Sequence, residues 1–360
     1  MLRFTIAVVA ATLVTAIPVP ASGLHVAAQS AGMVWNAVAV DHGRVFVAGP
    51  RWSGSTGPAV GVLDQGQVRP YPDARWNDWK PGADPATAFV NVNAVHLDGR
   101  GGLWAVDTGS PDFGGAPLPG GAKLVRIDLA TNRVARVYPF GPAIATAKSY
   151  VDDVRFNGDT AYLTDGGQAG LIVLDLRSGR ARRVLDGDPS TTAPDNRPIV
   201  VDGTVVRGAD GAPLKVNADP FELSPDRRWL YFGPLEGPWS RIRTALLDDP
   251  RVSAAELAAN VQPWADLPPT GGTAMDRKGN LYFSDLAHDS IKRRAADGTI
   301  TTVVQDPRLH WTDALFLDAH GVLWLPVPQL DRASAFNGGT SRIQFPVQLF
   351  SFPLSGHQGL

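Results

Sequence analysis

Residues 93–104, Asn-Ala-Val-His-Leu-Asp-Gly-Arg-Gly-Gly-Leu-Trp, decide the fold because they are one copy of a pattern that recurs along the chain. Asn93 opens an apolar strand, the polar turn 98–102 follows, and a second strand containing Trp104 completes the copy. A short turn rich in Gly and Asp between two apolar strands is typical of a β-hairpin. Each copy of the pattern therefore predicts one hairpin.

The pattern occurs six times, and every copy begins with Asn, Asp or, once, Gly. The copies run from Asn36 to Phe46, Asn93 to Trp104, Asp152 to Tyr162, Asp219 to Tyr231, Gly271 to Tyr282 and Asp313 to Trp324. Further strand-like segments follow several copies, as in 123–128 and 133–138. Six such units predict an all-β, six-bladed β-propeller with four-stranded antiparallel blades. Two adjacent β-sandwiches are the alternative, but they do not explain the shared polar opening position.

The sixth copy has too few strand-like segments after it to complete a four-stranded blade. After Trp324 little beyond Gln348–Phe352 remains to complete the sixth blade. An unpaired blade edge promotes aggregation, so the ring is expected to be closed. We therefore expect residues around His25–Val34 to add the outer strand of that blade.

The first 23 residues read as a signal peptide. Arg3 supplies the positive start, Phe4–Ile17 is apolar, and small residues then offer a cleavage site after residue 23, with a second site after Ala28. The apolar run is shorter than the ~20 residues that a membrane-spanning helix needs. The sequence predicts a secreted or periplasmic protein without membrane contact once the signal is removed.

Composition narrows the functional classes. The 360-residue chain has a formal net charge of -2 and no long basic run, which predicts no nucleic-acid partner. Cysteine is absent, so thiol catalysis, disulfides and thiolate metal sites are excluded. No Gly-rich phosphate loop is present, and no organic cofactor is expected. Residues 24–360 are predicted to form a single propeller domain.

The opening residues of the repeats are the main candidates for a functional site, because equivalent positions on successive blades lie at one height around the central channel. The predicted metal ligands at these positions are Asn36, Asn93, Asp152, Asp219 and Asp313. Such an oxygen-rich ring suits Ca²⁺ or another divalent cation, and without a cation crowded carboxylates should have raised pKa values. Gly271 is expected to leave one side of the ring open. Turn capping by the same Asn and Asp side chains is the alternative.

Two further groups of residues are candidates for chemistry or binding. Asp152, Asp313 and His310 are the candidate catalytic residues, His310 because it directly precedes the loop 311–313. The candidate ligand-binding residues are Arg51, Trp52, Asp153 and Trp311. For the tryptophans, packing between blades is the alternative role. The insertion 186–216 is predicted to be either a lid over the channel mouth or a simple connection.

Several segments resemble, in order, the motifs of the Major royal jelly/Yellow protein family. They are Pro50-Arg51-Trp52, Leu103–Gly109, Ala161–Gly167, Leu223–Asp226 and Trp311–Asp313. The resemblance implies a secreted six-bladed propeller, and it implies relatives that bind small amines, act on catechol derivatives or serve as carriers. Insect members carry disulfides, so this cysteine-free chain resembles a bacterial-type branch.

The layout is also similar to that of the more distant SMP-30/gluconolactonase propellers, which hold a divalent metal with Glu, Asn and Asp. Asn36 stands where those propellers have a Glu. Three functions remain open at this point. The first is binding of a small, aromatic or cyclic molecule at the channel mouth. The second is a metal-assisted lactone hydrolase or isomerase. The third is a protein-interaction scaffold.

Overall fold

The six repeated hairpins form the inner two strands of six blades in a computed structural model, which describes residues 23–354. The signal-peptide prediction for residues 1–23 lies outside this range apart from its last residue. The first strand is β1 (His25–Ser30). Blade one contains β2 (Ala37–Asp41), β3 (Arg44–Ala48), β4 (Val60–Asp64) and β5 (Gln67–Pro70). Blade two contains β6 (Val92–Leu97), β7 (Gly102–Asp107), β8 (Lys123–Asp128) and β9 (Arg133–Pro139).

The remaining blades repeat this arrangement. Blade three contains β10 (Val151–Asn157), β11 (Thr160–Asp165), β12 (Gly170–Asp175) and β13 (Ala181–Val184). A separate two-stranded hairpin, β14 (Val200–Val201) and β15 (Thr204–Val205), lies in the chain between blades three and four. Blade four contains β16 (Ala218–Leu223), β17 (Trp229–Pro234), β18 (Trp239–Arg243) and β19 (Gln262–Ala265). Blade five contains β20 (Thr273–Met275), β21 (Leu281–Asp285), β22 (Ser290–Arg294) and β23 (Ile300–Gln305).

The sixth blade joins the two ends of the chain. It contains β24 (Phe316–Leu317), β25 (Val322–Val327) and β26 (Val347–Pro353), with β1 as its outer strand. β1 pairs antiparallel with β26, from His25 opposite Ser351 to Ser30 opposite Val347. The predicted closure of the ring by an N-terminal strand is therefore confirmed.

The α-helices among residues 23–354 are short: α1 (Ala74–Asn77), α2 (Thr244–Asp248) and α3 (Ala254–Ala259). Within residues 23–354, no helix is long and apolar enough to cross a membrane. The core consists of apolar clusters between neighbouring blades, and the aromatic residue of each repeat contributes to it. Trp104 and Tyr162, for example, are almost completely buried. The predicted all-β propeller is confirmed.

Candidate functional site

The five polar opening residues line one cavity at the centre of the ring. The cavity has a volume of about 170 Å³, comparable with the ~150 Å³ engineered cavity that admits a benzene molecule. Its polar lining includes Asn36, Asn93, Asp152, Asp219 and Asp313. Because these side chains come from five different blades, the site exists only in the closed ring.

β-Bulges direct three of the opening residues towards the channel. The strand register shifts at the start of β6, β10 and β16, at Asn93, Asp152 and Asp219 respectively. An extra residue at a bulge bends the strand and redirects its side chain. The bulges explain why these polar side chains face the cavity while the rest of each strand packs in a regular ladder.

Buried carboxylates at the ends of two of the second strands, Asp107 and Asp165, hold the chain in place just before the opening residues Asn93 and Asp152. The Tyr150 backbone N–H donates to Asp165 Oδ1 over 2.8 Å, and Arg183 donates to Asp165 Oδ2 over 2.7 Å. Asp107 accepts from the Asn91 backbone N–H over 2.9 Å in the same way. Because these carboxylates are saturated by backbone and ion-pair partners, they are structural elements of the site.

A chain of hydrogen bonds connects the mouth of the cavity to its floor. Trp52 Nε1 donates to the Tyr150 hydroxyl over 2.8 Å, and that hydroxyl donates to Asn93 Oδ1 over 2.8 Å. Asn36 Nδ2 donates to the same Asn93 oxygen over 3.2 Å, and Asn93 Nδ2 donates to Asp152 Oδ1 over 2.7 Å. Asn93 therefore has no oxygen to spare for a metal in this arrangement.

Asn36 carries an unusual buried oxygen. The residue is 2% exposed, and its Oδ1 has no hydrogen-bond partner among the residues that the structure describes. An unpaired buried acceptor is costly, by about 1–3 kcal/mol. A donor or cation in the cavity would satisfy this oxygen.

The three ring carboxylates have raised pKa values. Burial, followed by repulsion from Asp313, raises the pKa of Asp152 well above its ordinary value. Burial and the carboxylates of Asp152 and Asp313 do the same for Asp219. Burial raises the pKa of Asp313 to about 7. A positive charge in the cavity would therefore be stabilised by the ring, because it would relieve the cost of ionising these groups.

Aromatic side chains form one wall of the cavity. The Trp52 ring lies 4.7 Å from that of Phe113 and 5.7 Å from that of Phe336, measured between centroids. The Phe113 ring lies 5.7 Å from that of Tyr150. Trp311 also lines the cavity and donates from Nε1 to Asp313 Oδ2 over 3.2 Å. The repeat does not predict Phe113, Tyr150 or Phe336 as cavity residues, since connections between strands do not follow it.

The insertion 186–216 takes part in the site. Leu214, Lys215 and Val216 line the cavity, so the insertion contributes to its wall in addition to connecting blades three and four. The Lys215 ammonium pairs with Asp195 of the same insertion. The Asp195 carboxylate therefore partly offsets the positive charge that Lys215 brings to the cavity wall.

Arg51 and Asp153 do not line the cavity. The Arg51 guanidinium donates to the backbone carbonyls of Asn77 and Trp79, over 2.7 and 3.2 Å, and so fixes the loop behind Trp52. Asp153 faces Arg155, with an N···O distance of 2.5 Å. The geometry does not provide the expected direct contact of these two residues with a ligand in the cavity, because the Arg51 guanidinium is bound to backbone carbonyls and the Asp153 carboxylate is paired with Arg155.

Arg155 and its partners lie towards the opposite end of the channel. Arg155 makes a two-pronged ion pair with Glu222, over 2.9 and 3.1 Å, in addition to its pair with Asp153. Arg155 and Glu222 border a depression formed by the hairpin turns of the repeats, such as Asp98–Gly99. The channel thus has a polar cavity at one end and a buried ion-pair network at the other.

Gly271 does not leave a gap in the ring, contrary to expectation. A Cβ atom at this position would lie 2.9 Å from the carbonyl oxygen of Thr312 in the next blade. The backbone of blade six therefore fills the space beside Gly271, and only a glycine fits there without displacement.

His310 lies outside the cavity, in a cluster of carboxylates. Its Nε2 is 2.9 Å from both oxygens of Asp331, and Nδ1 faces Asp202 and Asp289. Burial alone lowers the pKa of His310, but its close contacts with Asp289 and Asp331 outweigh burial and raise the pKa to about 9. A histidine that carries its proton this firmly is poorly suited to act as a base towards a ligand in the cavity.

Within residues 23–354, only one group of three or more His, Cys, Asp or Glu ligand atoms lies within 4.8 Å of one another, and it is Asp202, Asp289 and His310. The carboxylate oxygens of Asp152, Asp219 and Asp313 do not all lie within 4.8 Å of one another. They are thus placed to surround a molecule or a hydrated ion, whereas the His310 cluster is compact enough for a direct metal site.

A closed ring of six four-stranded blades around a polar cavity places this protein among the six-bladed β-propellers. Residues 90–350 match the sequence profile of the Major royal jelly protein family, and the chain belongs to that family. No curated protein sequence matches the chain at a significant level.

Solved structures confirm the fold. A putative oxidoreductase (glucose dehydrogenase) from Thermus thermophilus is 16% identical, with a TM-score of 0.52 over 92% of this chain and 99% of that chain. A luciferin-regenerating enzyme is 9% identical, with a TM-score of 0.53 over 92% of this chain and 95% of that chain. At these identities the similarity concerns the architecture alone.

Proposed function

We propose that this protein binds a small cationic molecule with a flat ring in the central cavity. The observation that carries the proposal is the unpaired Asn36 Oδ1 beside three carboxylates whose pKa values are raised. A ligand ammonium group would donate to these oxygens and neutralise the repulsion between them. The aromatic wall of Trp52, Phe113 and Phe336 would cover the ring of the ligand.

Calorimetric titration with 2-phenylethylamine and with the isosteric 2-phenylethanol tests this proposal. We expect the amine to bind at least about tenfold more tightly, which corresponds to about 1.4 kcal/mol. Asp219→Asn should reduce that preference, since it removes one carboxylate that faces the cavity. Asp159→Asn, at an exposed surface position, is the matched control. Equal binding of the amine and the alcohol would contradict the proposal.

A metal-assisted hydrolase or isomerase is the second candidate, and the same unpaired Asn36 oxygen favours it. Asn36 and the carboxylates of Asp152, Asp219 and Asp313 offer hard oxygen ligands of the type that Ca²⁺ takes. A bound divalent ion would supply a Lewis acid that polarises a substrate carbonyl. Whichever of Asp152 and Asp313 does not bind the ion would then move the proton.

Metal analysis and a panel of lactones and catechols separate the two candidates. The enzyme hypothesis predicts a divalent ion in the purified protein and turnover that Asp152→Asn abolishes. If no ion is retained and no substrate turns over while the amine binds, the binding function stands and the enzyme is rejected.

We further propose that the protein is exported and that residues 1–23 are removed. The apolar run Phe4–Ile17 with its preceding Arg3 supports this. Expression in a host with a general secretory pathway should yield the processed chain outside the cytoplasm. Retention of the full-length chain in the cytoplasm would contradict the proposal.

A further inference from the structure

The cluster around His310 brings together three segments that are distant in sequence. Asp202 occupies the turn between β14 and β15, Asp289 lies in the turn between β21 and β22, and His310 precedes ring residue Asp313. The turn formed by Asp202 and Gly203 has φ values of 49° and 72°, as the tight turn of a two-residue hairpin requires. The hairpin therefore presents Asp202 at its tip to the body of the propeller.

The distances within the cluster match a metal site. His310 Nδ1 lies 3.5 Å from Asp202 Oδ2 and 3.6 Å from Asp289 Oδ1. These separations are long for hydrogen bonds between charged groups, which are usually ~2.7–2.9 Å. They agree with the ~3.3–3.4 Å between neighbouring ligands of a tetrahedral ion whose bonds are ~2.0–2.1 Å long.

Two independent features point to a ligand at this position. The Asp289 Oδ1 atom is buried and has no hydrogen-bond partner within residues 23–354. The His310 side chain is 5% exposed, and its other nitrogen, Nε2, contacts both oxygens of Asp331. A carboxylate on the far nitrogen is the usual way to fix the tautomer of a metal-binding histidine.

We propose that His310 Nδ1, Asp202 and Asp289 bind one divalent ion of the zinc type, with Asp331 as the residue that orients His310. One imidazole and two carboxylates leave a fourth position for water, which is a ligand set that Zn²⁺ accepts. An imidazole ligand favours Zn²⁺ over Ca²⁺ or Mg²⁺, which prefer oxygen alone. The ion also offsets the negative charge of three carboxylates grouped around a single histidine.

Such an ion would secure the insertion that forms part of the cavity wall. It would join the tip of the β14–β15 hairpin to blade five and to the segment that leads into Trp311 and Asp313. The same insertion contributes Leu214 and Val216 to the cavity. The site is therefore a structural clamp for the binding cavity and does not depend on what the cavity binds.

The test uses the mature protein freed of metal with a chelator and titrated with Co²⁺, which reports its coordination by visible absorption. We expect one equivalent of Co²⁺ to produce a spectrum that one equivalent of Zn²⁺ abolishes. Asp202→Asn and Asp289→Asn should each weaken Zn²⁺ binding by at least about tenfold, and Asp331→Asn by ~10–100-fold. Limited proteolysis within 186–216 should be slower in the Zn²⁺ form.

Two control variants make the outcome specific. Asp210→Asn changes an exposed carboxylate of the same insertion that is outside the cluster, and it should leave Zn²⁺ binding unchanged. Asp152→Asn changes the central ring and should also retain the Co²⁺ spectrum, so that failure of this site is distinguishable from failure of the cavity proposal. Absence of the spectrum in the unmodified protein, or its persistence in both Asp202→Asn and Asp289→Asn, would overturn the proposal.

Discussion

At the scale of single residues, Tyr150 links the aromatic wall of the cavity to its polar floor. Its buried hydroxyl accepts from Trp52 Nε1 and donates to Asn93 Oδ1. Burial, together with the nearby Asp152 carboxylate, raises the pKa of Tyr150 well above its ordinary value, so the hydroxyl keeps its proton for donation. This hydroxyl and Asn36 Nδ2 are the two donors that orient Asn93, and Asn93 in turn donates to Asp152.

We predict that Tyr150→Phe destabilises the protein by about 1–3 kcal/mol, since it leaves the partly buried Trp52 Nε1 without an acceptor and removes one of the two donors to Asn93 Oδ1. Chemical denaturation measures the change. Tyr231→Phe is the matched control, because it removes a hydroxyl from a half-buried tyrosine that lies away from the cavity. A loss no larger than that of the control would show that the hydrogen-bond chain contributes little.

The raised pKa of Asp313 gives stability a defined dependence on pH. Its value of about 7 in the folded protein lies above the ~3.9 of an unfolded chain, so the folded state binds the proton more tightly. The stabilising contribution is complete below pH ~4 and is lost as the pH rises towards 7. At higher pH the ionised Asp313 therefore lowers the free energy of unfolding.

Asp313→Asn should accordingly be more stable than the unmodified protein at pH 8, by up to about 4 kcal/mol for a shift of about three pKa units. The difference should shrink towards pH 4, where both side chains are neutral. Thermal unfolding across this pH range provides the measurement. An Asp313→Asn protein that is less stable at pH 8 would mean that the Asp313 carboxylate is stabilised by a cation there.

At the scale of elements, the repeat predicted the inner strands but not the connections. The spacing of the six opening residues was enough to place the five polar ones, Asn36, Asn93, Asp152, Asp219 and Asp313, in one cavity, since equivalent blade positions converge on the axis. The repeat did not predict that Phe113 and Phe336 line the cavity, because they lie in connections of unequal length. It also misjudged Gly271, because the neighbouring blade's backbone fills that gap, a contact with no signature in a single sequence.

Strand β1 is the element whose removal should reveal most about ring closure. Five residue pairs join it to β26, and cross-strand pairs contribute ~0.2–1 kcal/mol each. Deleting residues 24–30 should therefore cost about 1–5 kcal/mol and should promote self-association through the exposed β26 edge. Thermal unfolding and light scattering measure the two effects. A deletion protein that is as stable and monomeric as the parent would refute this role of β1.

The pairing of β1 also distinguishes the two predicted signal cleavage sites. Cleavage after residue 28 would leave only Gln29 and Ser30 of the strand, whereas cleavage after residue 23 preserves all of it. We expect the mature N-terminus to lie ahead of His25. Intact-mass measurement of the processed protein identifies it, and a start at Gln29 would contradict the prediction.

At the scale of the whole molecule, the ion-pair network of Asp153, Arg155 and Glu222 lies towards the end of the channel opposite the cavity. Arg155 is 7% exposed and Glu222 6% exposed, so the charges depend on one another for compensation.

Arg155→Met should destabilise the protein by about 3–5 kcal/mol, because it leaves the buried Glu222 carboxylate and the partly buried Asp153 carboxylate without their cation. Adding Glu222→Gln to this variant should recover part of the loss, since one of the two stranded charges disappears. Denaturant titration of the single and double variants measures both effects. If the double variant is no more stable than Arg155→Met, the network is not the source of the loss.

The pairing of β1 with β26 also bears on how the chain folds. His25 and Ser351 are neighbours in the sheet although nearly the whole polypeptide separates them, and contacts of such high sequence separation form slowly. Strand β1 therefore stays unpaired until β26 is available to pair with it. A circularly permuted chain whose new ends fall between two blades would complete every blade from contiguous sequence and should reach the native state faster.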